Sequence, residues 1–377
     1  MIQYDYIFAG GGLAAQMTLL QMATDSYFAD KKILILDPLE KTANDRTWCF
    51  WEKGAGKFDA ILKKKWDQAT FKDSQGIVPM TIFPYQYKMI RSADFYQHVA
   101  EKCKSLSIDR RSEAVQSIRE QRQEVIVETE ANRYTGSTVF SSIYDPARAS
   151  NHANYPLLQQ HFIGWFVKTD TPVFDPAKAT FMDFSVPQKG NTRFMYVLPT
   201  STNEALVEYT LFSHDLLAPA EYEAAITDYL KNLGATFQIV ETERGSIPMT
   251  CYPFWEHNSR RLIHIGSAGG WTKASTGFTF RNTLKKSEDL VQSLRRKSEY
   301  KPVKNRFWFY DLLLLDILDR SNEKGSSIFS AMFRNGPAST IFKFLDEETT
   351  FNEDLQVIWS CPKMLFIRAL IRRFLRF

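Results

Sequence analysis

A short apolar run followed at once by three glycines constrains this chain more than any other feature. Tyr6–Ala9 reads as a buried strand, and Gly10-Gly11-Gly12-Leu13-Ala14-Ala15 follows it directly, matching a GxGxxG/A pattern with Ala15 in the third small position. Gly10 permits the tight turn, Gly12 lets the backbone approach a pyrophosphate, and Ala15 allows close packing of helix on strand. Leu13 and Ala14 open that helix, whose first N–H groups and positive dipole end suit an anion. A second apolar run, Ile33-Leu34-Ile35-Leu36, ends at Asp37, where a carboxylate can accept hydrogen bonds from an adenosine ribose. The plainer alternative is a glycine turn in an ordinary α/β protein, with Asp37 only starting the Asp37-Pro38 turn.

A second glycine cluster lies far along the chain. Arg261–Ile265 reads as a buried strand delivering Gly266-Ser-Ala-Gly269-Gly270, and Ser275-Thr276-Gly277 then precedes a helix. Two such clusters, one near each end of a folding unit, favour a single extended cofactor, FAD, over NAD. Gly266, Gly269, Gly270, Thr276 and Gly277 therefore join the cofactor-binding candidates, the alternative being a flexible surface loop.

Between the clusters the pattern changes. Ser92–Lys104 reads as an amphipathic helix and Glu124–Glu128 as a hairpin strand. Residues 162–168, 179–184, 193–198 and 205–212 then read as a run of strands, followed by a helix near Pro219–Leu233. This predicts an α/β chain: a Rossmann-like FAD-binding domain of the glutathione-reductase/hydroxylase type, an inserted antiparallel-sheet substrate domain, and C-terminal helices. The expected boundaries are 1–75, 90–150 and 255–300 for the first, 76–89 and 151–254 for the second, and 301–377 for a helical, membrane-facing region.

Composition removes several alternatives. Forty-seven basic against 43 acidic residues leave a formal charge of +4 in 377 residues, too balanced for a chain built to neutralise nucleic-acid phosphates. Cys49, Cys103, Cys251 and Cys361 form no CxxC pair, so no disulfide framework and no metal site is expected, in keeping with a reducing cytoplasm. The start MIQYDYIFAGGG has no basic region ahead of an apolar stretch and predicts no cleaved leader. The best apolar run, Leu312–Leu318, is short and broken by Asp316, which predicts no membrane-spanning helix.

Seven further segments stand out: Asn44-Asp-Arg-Thr-Trp-Cys-Phe-Trp51, Gln160-His-Phe-Ile-Gly-Trp165, Pro172–Asp175, Met182-Asp-Phe184, Tyr196–Pro199, Leu206-Val-Glu-Tyr-Thr210 and Ile265–Phe280. Together they resemble the lycopene cyclase family in its bacterial FAD-dependent branch. The resemblance implies reduced FAD, NAD(P)H as its reductant, and lycopene as substrate, whose acyclic ends close to β-rings without net oxidation. It also implies a catalytic carboxylate at Glu208. The plant branch carries a second acid next to it, whereas this chain has Tyr209. Arg46, within the first of these segments, and Arg91, ahead of a helix, are expected near the cofactor. Trp48, Phe50, Trp51, Trp165, Tyr209 and Trp271 are expected to wall the substrate pocket, with plain core packing as the alternative for aromatic residues.

The implied chemistry needs an acid for the terminal double bond and a base for the ring proton. A carboxyl in an apolar pocket keeps its proton because burial disfavours the charged form. The substrate must come from a bilayer, and the tail supplies a docking candidate. In 364–377, Arg368, Arg372, Arg373 and Arg376 fall on one side of a helical wheel and Ile367, Leu370, Ile371, Phe374, Leu375 and Phe377 on the other, which is the patterning of a helix lying in a membrane surface. A helix packed on the protein is the alternative. The rival function is a flavin-dependent oxidoreductase, a monooxygenase or polyprenyl reductase acting on an apolar lipid. The Gly-Ser-Ala of the second cluster argues against it, since aromatic monooxygenases generally show Gly-Asp-Ala there. A carrier that binds without reacting is a further alternative.

Overall fold

The computed structural model describes residues 3–375 except 151 and 153. Its first sheet is seven-stranded. The strand Gln3–Ala9 lies between Lys32–Leu36 and Arg133–Ser141, parallel to both, with Tyr6 level with Ile33 on one side and Thr138 on the other. A strand covered on both faces has no polar side, and its apolar run is accordingly unbroken from Tyr6 to Ala9. Ser107–Arg111 and Leu262–His264 extend the parallel part, and Val125–Thr129 and Val115–Glu120 continue it as antiparallel strands. Helix Leu13–Met22 packs against helix Phe280–Arg295, so the two glycine-led helices are neighbours. The helix expected to run to Lys104 ends at Lys102.

The second sheet, also seven-stranded, runs in the order Phe237–Met249, Leu158–Thr169, Glu204–Ser213, Thr192–Pro199, Lys178–Asp183, Gln68–Asp73 and Gly76–Thr81. Every neighbouring pair is antiparallel except Lys178–Asp183 with Gln68–Asp73. The boundary drawn between 75 and 76 falls in the turn of the Gln68–Thr81 hairpin, both strands of which join this sheet. Tyr85–Arg91 pairs instead with Thr47–Lys53 and Lys64–Trp66 in a three-stranded sheet.

Strand alternation divides the second sheet into two faces. On one, Val207, Tyr209, Leu211, Ile163 and Trp165 form a core with the helix Pro219–Asn232. That helix begins with proline, whose missing N–H costs nothing there, and buries Tyr222, Ile226 and Leu230 at a spacing of four. On the other face Leu206, Glu208 and Phe212 look into a cavity.

Five helices from Arg306 to Leu375 roof that cavity. Helix Phe351–Ser360 is fixed at its start by a capping box between Thr350 and Glu353. The last helix, Lys363–Leu375, departs from the expected wheel. Arg373 is buried, donating to Asp316 at 2.5 and 2.7 Å and to the Asn154 carbonyl, so it tethers the helix rather than joining a solvent-facing basic stripe. Asp316, the residue that interrupts Leu312–Leu318, is there to pair with it. Ile367, Ile371, Phe374 and Leu375 face outward. Arg376 and Phe377 lie outside the described residues. No helix among those described is long and apolar enough to cross a membrane.

Candidate active site

The nucleotide cradle forms where the two glycine clusters meet. Gly10 has φ +103°, and a Cβ there would lie 2.0 Å from the Ser142 hydroxyl, so no other residue fits. Gly266, at φ +61°, approaches Ala14 closely enough that a Cβ would lie 3.2 Å from it. The carboxylate of Asp37 accepts from the Gly11 N–H at 2.7 Å and from the Leu39 N–H at 2.9 Å, tying the turn to the end of its strand while also starting the turn that follows. Gly12 precedes the helix without any side-chain cap, and a Cβ there would meet nothing within 4 Å. Gly12, Leu13 and Ser267 border the cavity, leaving the helix start open to an anion. Ala15 is fully buried against the sheet.

Across the cavity, Thr276 and Gly277 form a second backbone wall, Gly277 at φ +69°. The Ser275 hydroxyl and the Gln160 carbonyl oxygen are buried there without a hydrogen-bond partner among the described residues. An open helix start, two close-approach glycines and unpaired polar atoms along one wall fit an extended dinucleotide such as FAD. Gly269 and Gly270 shape the turn behind this wall: a Cβ on Gly269 would lie 2.2 Å from the His264 carbonyl oxygen, and Gly270 has φ +68°.

From the cradle the cavity, about 860 Å³, runs between the second sheet and the C-terminal helices. Glu208 projects into it from the centre of its strand and is 7% exposed. The hydroxyl of Thr210 donates to it at 2.6 Å. Burial, reinforced by the nearby charge of Glu243, pushes the Glu208 carboxyl up to about 8 against the opposing effect of that hydroxyl. Tyr196 lies directly across the ladder from Glu208 and also lines the cavity, its hydroxyl bonded to that of Tyr87. A carboxyl in this setting stays protonated at neutral pH and can act as a general acid.

The aromatic residues expected to wall the pocket separate sharply. Trp48 lines the cavity. Trp165 and Tyr209 lie on the opposite face of the sheet, because they are one residue out of phase with the positions that face the cavity. Phe50 stacks on Phe280 in the nucleotide-domain core, where Trp271 is also fully buried. Trp51 stacks on Phe342 and donates to its carbonyl, a core contact. The apolar walls come instead from Phe181, Phe194, Phe278, Phe309, Met332 and Phe333. Arg46 borders the cavity, whereas Arg91 is buried beneath it in an ion pair with Glu241, its guanidinium over the Phe166 ring.

Lys41 and Glu243 are polar groups of the cavity that no motif in the sequence singles out, and Thr47, though within the Asn44–Trp51 segment, is not itself expected there. Lys41, whose ammonium is 3.1 Å from Asp45, stands by the cradle. Glu243 projects from the strand two places from Glu208, and Thr47 donates to it at 2.7 Å. The alternation Glu241, Glu243, Gly245, Ile247 was the available signal, since these residues share one side of a strand.

The architecture is that of flavoproteins. A geranylgeranyl bacteriochlorophyll reductase-like protein from Thermoplasma acidophilum superposes with a TM-score of 0.69 at 13% identity, covering 98% of this chain and 99% of that one. The p-nitrophenol 4-monooxygenase of Pseudomonas putida does so with a TM-score of 0.57 at 13% identity, covering 99% and 98%. At such identities the likeness is one of fold. Among sequence relatives, a lycopene beta-cyclase from Paracoccus sp. is 31% identical over 130 residues, 32% of this chain and 32% of that protein, so the aligned stretch spans about a third of the relative's length. A lycopene beta-cyclase from Pantoea ananas is 22% identical over 293 residues, 73% of this chain and 71% of that one. The family model described as lycopene cyclase protein matches residues 5–371, nearly the entire chain. On that match, carried on a flavoprotein fold, the chain belongs to the lycopene cyclase family.

Proposed function

We propose that this chain closes the acyclic ends of lycopene into β-rings by proton-initiated chemistry without net oxidation. The observation that carries the reading is Glu208: a buried carboxyl, pushed up to about 8 by that burial, projecting into an apolar cavity continuous with the nucleotide cradle. Its proton adds to the terminal double bond, the resulting tertiary cation is attacked by the neighbouring double bond, and a ring proton leaves. One proton enters and one departs, so no hydride acceptor is required. An alkene is a weak base, and a carboxylic acid alone supplies limited driving force. Bound FAD, once reduced by NAD(P)H, would supply an electron-rich ring system that favours nearby positive charge. Gly10, Gly12, Leu13, Gly266, Thr276 and Gly277 would hold it, while Trp48 and the phenylalanine walls exclude water from the reacting end.

The substrate reaches the cavity from lipid in this reading. The cavity lining extends to Ile358, Trp359, Ile367 and Leu370, and Trp359, Met364, Ile371 and Phe374 around them are more than half exposed. A contiguous apolar surface at a cavity mouth, with the exposed Arg368 and Arg372 beside it, suits insertion into an anionic leaflet from the cytoplasmic side. Removing the residues after Cys361 should abolish co-sedimentation with liposomes, and undiminished sedimentation would count against docking.

Expression in lycopene-accumulating bacteria, with chromatography of the pigments, tests the reaction. Cyclised products are expected. The second reading, a flavin-dependent oxidoreductase on an apolar lipid, draws on the reductase-like and monooxygenase fold neighbours. It predicts stoichiometric NAD(P)H consumption, and oxygen dependence for a monooxygenase. The cyclase reading predicts anaerobic turnover with no stoichiometric consumption.

A further inference from the structure

The cavity holds a second carboxyl, and the inference about it rests on the ring-closing reading above. Gly164 is paired with Glu208 on one side and with Glu243 on the other. Residues level with one another across a sheet share a face, so both acids project to the side Gly164 leaves bare, two strands or about 10 Å apart at the backbone. A Cβ on Gly164 would lie 3.0 Å from Leu206 Cδ1 and 3.4 Å from Glu208 Cβ and Cγ. The missing side chain thus leaves the space over the middle strand to Glu208. Both carboxyls border the same cavity.

Their surroundings differ in a way that divides the labour. Glu208 has one hydroxyl partner, Thr210, and the like charge of Glu243 disfavours its ionisation. Burial, the largest influence, and the like charge of Glu241 hold the Glu243 carboxyl above its ordinary range, against the Thr47 hydroxyl and the charges of Arg91 and Arg46, which favour its anion. Two acids raised alike by burial, one of them set against a pair of guanidiniums and the other against a like charge, suit opposite ends of one proton-transfer reaction. Through Thr47 the Asn44–Trp51 segment orients Glu243.

We propose that Glu243 is the proton acceptor that ends ring closure and thereby decides where the ring double bond falls. After the proton from Glu208 has added and the new carbon–carbon bond has formed, the positive charge rests on a tertiary ring carbon. A proton leaves an adjacent carbon for a Glu243 carboxylate oxygen, and the electrons of that C–H bond become the double bond. No electrons are gained or lost overall. Three adjacent positions carry hydrogen, giving a double bond conjugated with the polyene, displaced from it within the ring, or exocyclic. A base fixed on the sheet selects among them.

The test compares wild type, Glu243→Gln, Glu243→Asp and Thr47→Val in lycopene-accumulating cells, with bound-flavin absorbance of the purified proteins reporting the fold. Glu243→Gln should retain flavin, form rings about 100-fold more slowly, and give displaced or exocyclic double bonds among its residual products. The low-pH limb of its rate profile should vanish, because the base no longer has to ionise, while the high-pH limb set by Glu208 persists but moves to lower pH, the like charge of Glu243 being gone. Thr47→Val should shift products in the same direction more weakly. Glu243→Asp, which keeps a carboxylate, should recover part of the conjugated product. Wild-type yields of β-rings from Glu243→Gln would overturn the proposal, as would a flavin-loaded Glu243→Asp no better than the amide. Should wild type itself form no rings, the ring-closing reading fails and this inference falls with it.

Discussion

The strand Glu204–Ser213 presents two regions that differ in almost every physical respect. Its back face, Val207, Tyr209 and Leu211, is closed by the helix Pro219–Asn232 and contains only packing. Its front face, one residue out of phase, holds Leu206, Glu208 and Phe212 against an internal space. A sheet buried on both sides need not use both sides alike. The closed face fixes the strand, and the fixed strand lets a carboxyl remain in an apolar cavity, where solvation would otherwise draw its charge out.

Substitutions on the two faces should therefore fail in different ways. Glu208→Gln, nearly isosteric, should cut ring formation by about 10³-fold while leaving the fold and flavin content intact, as read from pigment yield and visible absorbance. Trp165→Ala should remove about 3–5 kcal/mol of stability, measured by chemical denaturation, with the surviving folded fraction still active. A large activity loss per folded molecule in that variant would break the division between faces.

A pH series sharpens the same contrast. A carboxyl raised to about 8 in the folded state but ordinary when unfolded holds more protons folded than unfolded between about 4.5 and 8. Stability from that group is complete below the lower value and is lost as pH rises through the upper one. Glu208→Gln should thus gain stability over wild type progressively from pH 5 and level off above about pH 8, by about 4 kcal/mol. A pH-independent gap would indicate a carboxyl already in contact with water. The smallest expected effect is Tyr209→Phe, whose hydroxyl accepts, among the described residues, a single long hydrogen bond from the Arg193 guanidinium at 3.4 Å. It should cost under about 1 kcal/mol and leave the product unchanged.

What the sequence discloses follows the range of the interactions involved. The glycine turns were legible because backbone geometry is local: a Cβ at Gly10 collides whatever the rest of the chain does. Glu208 was legible through a resemblance spread over several segments. Glu243 was not, because its nearness to Glu208 is created by Gly164 on a strand between them, a pairing no local pattern states. Period-two alternation separates Trp165 and Tyr209 from Glu208 but does not say which face is hollow. Arg373 looked like part of a basic stripe until Asp316, 57 residues earlier, proved to be its partner.

The central claim is that Glu208 is protonated at neutral pH, and isotope-edited infrared spectroscopy of the glutamate carboxyls, with Glu208→Gln as the subtraction control, reads it most directly. A protonated C=O band lost in the variant, persisting at pH 7 and disappearing only near pH 8, is the predicted result. A Glu208 carboxylate already ionised at pH 6 would contradict the account.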